Sequence, residues 1–145
     1  MKIIIRTVGK LKKKGGFRDM NDFYAGRISR MAALNIHEIK EQSSIKKETE
    51  LLCKNSEKEA FRVALRENGR QFNSIAFSKF INEKRIRNIP VEFFIGGAYG
   101  LGFVKESLSL SLSLSTLPHQ LARIVLLEQL YRAFSLIQGS SYHHE

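Results

Sequence analysis

The stretch SLSLSLSLSTLPHQLAR, Ser107 to Arg123, is a strict serine–leucine alternation that breaks at Thr-Leu-Pro-His. Coiled into a helix, Leu108, Leu110, Leu112 and Leu114 would scatter around every face. Extended, all four leucines fall on one side and the serines on the other. The alternation therefore predicts the last strand of the chain. Pro118 holds φ near the helical value and has no amide hydrogen to lose, which suits the first turn of a following helix. Upstream, Gly102 to about Ser107 is expected to form a short helix that returns the chain to the sheet.

The same two periods recur along the rest of the chain. KIIIRTV, Lys2 to Val8, is β-branched and closed by Gly9, the pattern of a strand. Phe17 to Met31 places apolar residues at helical spacing, and LNIHEIKE, Leu34 to Glu41, alternates like a second strand. A polar helix is predicted from Ser44 to about Glu57. AFRVAL, Ala60 to Leu65, reads as a third strand ended by a turn at Asn68-Gly69. Asn73 or Ser74 can cap the next helix, which carries Ile75, Phe77, Phe80 and Ile81. VEFFI, Val91 to Ile95, is continuously apolar, as expected of a strand buried on both faces. Strands alternating with helices predict a single α/β domain over residues 1–145, with a mostly parallel sheet and helices on both faces. The final helix, from His119, is apolar around well over one face, so it is expected to need a second cover, most simply another copy of the chain.

Composition bounds the chemistry. The 145 residues are 43% hydrophobic, enough for a globular core and too many for a disordered chain. The apolar runs are too short to span a bilayer, and MKIIIRTVGK lacks the features of a secretion signal, so the cytoplasm is the expected location and no membrane partner is expected. Cys53 is the one cysteine, which excludes a disulfide framework. His119, His143 and His144 have no spacing that would gather them with it around a metal. The net charge of +10 favours a polyanionic partner, nucleic acid first. Lys10, Lys12, Lys13, Lys14 and Arg18 concentrate that charge around Gly15-Gly16.

In open α/β folds ligands gather beyond the carboxyl ends of the strands. Two such ends are distinctive here: FFIGGAYGLG, Phe93 to Gly102, and STLPH, Ser115 to His119. The glycines permit positive φ and close backbone approach to a ligand, although a tight turn would use them equally. Their spacing is not that of a dinucleotide fingerprint, and neither a nucleophile elbow nor a phosphate-binding P-loop is present.

FFIGGAYGLG, LSTLPHQLARIVLLEQLYRAFSLIQG and the closing YHHE resemble the ribosomal RNA large subunit methyltransferase H family, of the SPOUT class. The resemblance runs from KIIIRTVGK to the end and is most specific in the last third. It implies a deep C-terminal trefoil knot, a homodimer, and S-adenosylmethionine as methyl donor. It further implies methylation of N3 of a pseudouridine in helix 69 of 23S rRNA within the assembled ribosome. Carried over by position, Leu65, Gly97 and Ser113, Leu114, Ser115, Thr116, Leu117 and Pro118 would hold the cofactor. His119 and His143 are candidate bases for the imide proton, and Arg123 is a candidate to stabilise the developing anion or hold a phosphate. The chain departs from the family in two places. Relatives commonly end in Tyr-His-Arg-Glu where this chain has Tyr142-His143-His144-Glu145, and an imidazole does not replace the fixed charge and fork of a guanidinium. The segment between Gly102 and Leu110 is also shorter than usual. The competing reading is a non-catalytic RNA-binding or ribosome-associated protein on the same fold.

Overall fold

The computed structural model describes residues 1–144. The strands are β1 (Lys2–Val8), β2 (Ala33–Ile39), β3 (Phe61–Gln71), β4 (Val91–Ile95) and β5 (Leu108–Ser111), and the helices are α1 (Gly16–Ile28), α2 (Ile45–Cys53), α3 (Ser74–Ile86) and α4 (His119–Ile137). Every neighbouring pair of strands runs parallel, in the order β2-β1-β4-β3-β5. The expected α/β sheet is therefore present.

Helices cover both faces, as the alternation of elements implied. Ile3, Ile5, Val63, Phe93 and Leu110 pack on one face with Ile28 of α1, Ile81 of α3, and Leu127 and Leu130 of α4. Val8 and Phe94 lie on the other, against Leu52 of α2 and Val104. All five residues of β4 are buried, which accounts for the unbroken apolar run VEFFI. Glu92 is among them and is matched there: its carboxylate accepts from Arg6 Nε and from Ser56 Oγ, the latter at 2.5 Å. Arg6 also donates to the carbonyls of Lys54 and Asn55, fastening the chain after α2 to the sheet. A buried ion pair of this kind is neutral to fold stability on balance, but losing one partner costs about 3–5 kcal/mol.

Four expectations need correction. The serine–leucine strand is short. Leu108, Leu110 and Leu112 join the core, but Leu114 is 92% exposed. The serines cause the departure: Ser111 Oγ donates to the Ser113 carbonyl and the Ser115 amide donates to Ser113 Oγ, both at 2.9 Å, turning the chain off the sheet. The stretch from Gly102 to Ser107 is not a helix; it is an irregular segment held by the burial of Val104. Asn68-Gly69 does not end β3. Leu110 pairs with both Leu65 and Arg70, so residues 66–69 bulge out of the ladder and the strand resumes. A methyl group at Gly69 would lie 2.6–2.7 Å from the Leu110 and Ser109 backbone, so only glycine fits there.

Helix α4 also departs from expectation. Its apolar coat is absorbed within the chain, because α4 packs between α1 and α3 as well as on the sheet. Leu126, Leu127, Leu130 and Ala133 are fully buried. Among the helices, α1 keeps a row of exposed apolar residues, Phe17, Met20 and Phe23.

Candidate functional site

The carboxyl ends of β3, β4 and β5 open into a cleft of about 900 Å³. One wall is the glycine loop after Ile95. A side chain at Gly96 would run into the backbone of Gly100 and Leu101. The turn closes on itself through the Gly100 amide, which donates to the Gly97 carbonyl at 3.1 Å. Gly100 adopts φ +95°, the left-handed region that glycine tolerates. A methyl group at Gly97 would point away from the cleft, 3.0 Å from Val8 Cγ1 and 3.3 Å from Glu48 Oε1. The space that glycine leaves at 97 is thus taken by β1 and α2, and a larger residue would crowd them before filling the cleft.

The opposite wall is the turn from Ser113 into α4. Pro118 is the N-cap of α4 and offers no side-chain cap, and no acidic residue stands in the first turn. His119 begins the helix and lines the cleft; its Nε2 lies 3.1 Å from where a methyl group on Gly9 would be. Gly9 has φ +89° and leads directly into the Lys10–Lys14 loop. The basic cluster thus starts beside the candidate base.

Leu65, Gly97, Ser113, Ser115, Thr116, Leu117, Pro118 and His119 all line this cleft. Leu114 does not, having turned outward into solvent. Arg123 stands one turn beyond the cleft mouth and is only 3% exposed. Its Nη1 donates to Glu38 Oε2 at 2.6 Å and its Nε to Asn21 Oδ1 at 2.9 Å, so its guanidinium joins α4, α1 and β2. Glu38 also accepts from the Leu11 amide at 3.0 Å, and Arg18 donates to the carbonyls of Leu11 and Lys12. Burial pushes the Glu38 carboxyl up, but these hydrogen bonds and the nearby guanidinium charges outweigh it and hold it below its ordinary value. Arg123 is therefore placed to orient the basic loop.

His143 is not at the cleft of its own chain. Its Nδ1 lies 3.3 Å from Arg132 Nη1, and Tyr142 packs edge-on against Tyr131 with ring centroids 4.5 Å apart. From His119 to Arg132 is thirteen residue steps along α4, a rise of roughly 20 Å. Burial, with hydrogen bonds to Tyr24 and Glu128, raises the Tyr142 phenol far above its ordinary value. Glu145, the last residue of the YHHE tail, lies outside the described residues.

Arg66, Glu67 and Asn68 also line the cleft; of these the sequence marked only Asn68, as part of a turn. The signal was available in Gly69: a glycine inside a strand marks a bulge, and this bulge aims its residues at the ligand side. Arg66 ties the bulge to the segment after the glycine loop, donating to the Leu101 and Gly102 carbonyls at 2.9 and 2.8 Å and to Glu106 Oε1 at 2.8 Å. Among the described residues no cluster of three or more His, Cys, Asp or Glu could hold a metal ion, and no helix is long and apolar enough to cross a membrane.

Comparison with known proteins matches this arrangement to one family. The sequence model described as "Predicted SPOUT methyltransferase" covers residues 1–143. The chain is 39% identical to the ribosomal RNA large subunit methyltransferase H of Clostridium tetani and 40% identical to that of Streptococcus gordonii, over 99% of each chain in both cases. A Clostridium acetobutylicum protein of the same name is 36% identical over the same extent. These alignments run 159 positions, more than the 145 residues of this chain, so the relatives carry residues that it lacks. A full-length match on both sides, together with the glycine loop and the TLPH turn facing each other across one cleft, gives the assignment: the chain belongs to the SPOUT methyltransferase family, among its ribosomal RNA large subunit methyltransferase H members.

Proposed function

We propose that this protein is an S-adenosylmethionine-dependent methyltransferase of the large ribosomal subunit RNA. Its target would be N3 of a pseudouridine in helix 69 of 23S rRNA, reached in the assembled ribosome in the cytoplasm. The observation that carries the reading is the cleft, where the glycine loop and the Ser113–His119 turn converge at the carboxyl ends of β3, β4 and β5 in a chain of this family.

The residues present fit the cofactor. Leu65, Ile95 and Leu117 give an apolar wall for an adenine ring, and Glu67 on the bulge offers a carboxylate acceptor to ribose hydroxyls or to a positive centre. Ser113 Oγ accepts from the Ser115 amide and keeps its own proton to donate. When bound, S-adenosylmethionine supplies an activated methyl carbon on a positively charged sulfur, so the protein's task is positioning and exclusion of water. The imide proton must leave N3, and His119, at the cleft beside Gly9, is the acceptor within this chain. The first-turn amides of α4 are free of any side-chain cap, and the positive end of that helix favours the anion left on the base. Arg123 acts one step back, as a positioning residue.

We also infer a homodimer and the knotted C-terminal threading, both implied by the family. The exposed Phe17, Met20 and Phe23 of α1 form a one-sided stripe at spacing three that a two-fold partner would cover. His143, remote from the cleft of its own chain, would then serve the partner's.

Calorimetric titration of the protein with S-adenosylmethionine, followed by transfer of labelled methyl to purified ribosomes, free subunits and naked rRNA, tests the reading. Methylation of intact ribosomes at one pseudouridine N3 is expected. A folded protein that binds no cofactor, or that methylates another RNA instead, would overturn it.

A further inference from the structure

Large apolar side chains facing water are ordinary one at a time and informative when they gather at a site. Leu114, Phe103 and Tyr99 are the most exposed large apolar residues of those described, at 92%, 87% and 86%. All three belong to the segments that wall the cleft. Tyr99 lines it, Leu114 lies between the lining residues Ser113 and Ser115, and Phe103 stands two residues after the lining residue Leu101.

The backbone that carries the two rings is firmly held. Gly97 and Gly100 bridge across the turn bearing Tyr99. Before Phe103, Arg66 grips the Leu101 and Gly102 carbonyls, and the Gly102 amide donates to Thr49 Oγ1 at 2.9 Å. After it, Val104 is 1% exposed. A fixed backbone thus holds two aromatic rings in water at the edge of a ligand cleft. Such a pair loses little entropy on binding and presents flat faces to a flat partner. A protein partner would call for a broad dry patch, yet the neighbours here are Lys105, the Arg66–Glu106 ion pair and serine hydroxyls. Isolated rings in a polar, cationic setting on a chain of net charge +10 match nucleobases on a phosphate backbone.

We propose that Tyr99 and Phe103 each stack on an unpaired base of the RNA substrate, flanking the nucleotide that enters the cleft. The inference rests on the RNA methyltransferase reading and deepens it, by giving a minimal chain a way to select unstacked RNA over duplex.

The chain has no tryptophan, so Tyr99→Trp and Phe103→Trp each install a single fluorescent reporter. Titration with an RNA stem-loop carrying an unpaired loop should quench the emission, and a fully paired duplex of the same length should not. Tyr99→Ala and Phe103→Ala remove only exposed groups and should fold; each should raise KM for ribosomes about tenfold with kcat within about twofold. Tyr99→Phe and Phe103→Tyr keep the ring and should restore KM. Alanine variants with unchanged KM, or emission indifferent to the stem-loop, would overturn the proposal. So would a loss of cofactor affinity in place of RNA affinity, or quenching by RNA-free ribosomal protein in place of RNA. A wild-type protein that methylates no rRNA while the stem-loop still quenches would defeat the enzymatic reading alone. An active wild type with indifferent alanine variants would defeat the stacking sites alone.

Discussion

Arg123 separates two accounts of the site, one in which its guanidinium meets the substrate and one in which it builds the wall. Arg123→Met keeps the length of the side chain and removes the charge and the donors. The change deprives Glu38 Oε2 of a partner at 2.6 Å and Asn21 Oδ1 of one at 2.9 Å, at a residue 3% exposed. A hydrogen bond to a charged group contributes roughly 1.5–3 kcal/mol. The Glu38 side chain is 22% exposed, so water replaces part of that loss and the lower end of the range applies. The two losses together come to about 3 kcal/mol, a large share of a typical domain stability. In a chain of 145 residues that is a fall in Tm of roughly 10 °C. Glu38→Gln should overlap with it, the double variant losing at least about 1 kcal/mol less than the sum. Thermal melts and denaturant curves read the stability, and steady-state methyl transfer reads the function. Because Glu38 also holds the Leu11 amide, KM for ribosomes should rise more than kcat falls. An unchanged Tm with a hundredfold loss of kcat would refute the positioning account and put the guanidinium on the substrate.

Exchanging Lys12, Lys13 and Lys14 together for glutamine should weaken ribosome binding and lower its salt slope by about two to three units, with calorimetric affinity for the cofactor unchanged; an unaltered slope would place the RNA face elsewhere. Glu38 and Glu106 are held below their ordinary value of 4.5 by their arginine partners, so what they contribute is present above that value and is lost as pH falls through their lower folded values. The protection factor of the Leu11 amide, its exchange rate corrected for the intrinsic pH dependence, should therefore fall at acid pH before global unfolding, and full protection down to the unfolding pH would contradict the Glu38 linkage. Chains with Ala122→Phe, which fills the cleft, mixed with chains lacking residues 142–145 should recover methyl transfer if the tail of one chain serves the cleft of the other. Proven mixed dimers with no activity would assign each tail to its own chain.

What could be read from the sequence was what neighbouring residues decide among themselves. The β-branched run of Lys2–Val8 and the apolar run of Val91–Ile95 became strands with those bounds. Of the two cap candidates before α3 it is Asn73 that bonds, through Oδ1 accepting from the Ala76 amide, and Ser44 caps α2 through the Lys47 amide. Leu65, Gly97, Ser113, Ser115 to Pro118 and His119 share a cleft because they lie where β3 bulges and in the segments that follow β4 and β5. Arg123 shows the limit. Its partners Glu38 and Asn21 are 85 and 102 residues away, and nothing local to LARIV distinguishes a guanidinium that faces a ligand from one that spans three elements. Arg66 escaped notice for the same reason, since its value comes from carbonyls 35 and 36 residues downstream.

The apolar coat of α4 carries the same lesson into the question of assembly. Hydrophobic area on one helix sets how much cover it needs and says nothing about who provides it. In this fold the cover comes from the flanking α1 and α3, which leave α4 with Leu121 at 37% exposure. The flanking α1 keeps an exposed row of its own: Phe17, Met20 and Phe23 are 40%, 45% and 50% exposed and recur every third residue. As sequence, those same positions marked a helix by their spacing and did not say which face is covered. Phe23 also carries the Arg27 guanidinium 4.3 Å above its ring, and Arg27 donates to the Tyr131 hydroxyl at 3.0 Å. Tyr131 in turn packs on Tyr142, so the exposed stripe of α1 continues into the C-terminal tail without a break. A partner seated on that stripe would therefore meet the tail as well, which ties dimer formation and the placement of His143 to a single surface.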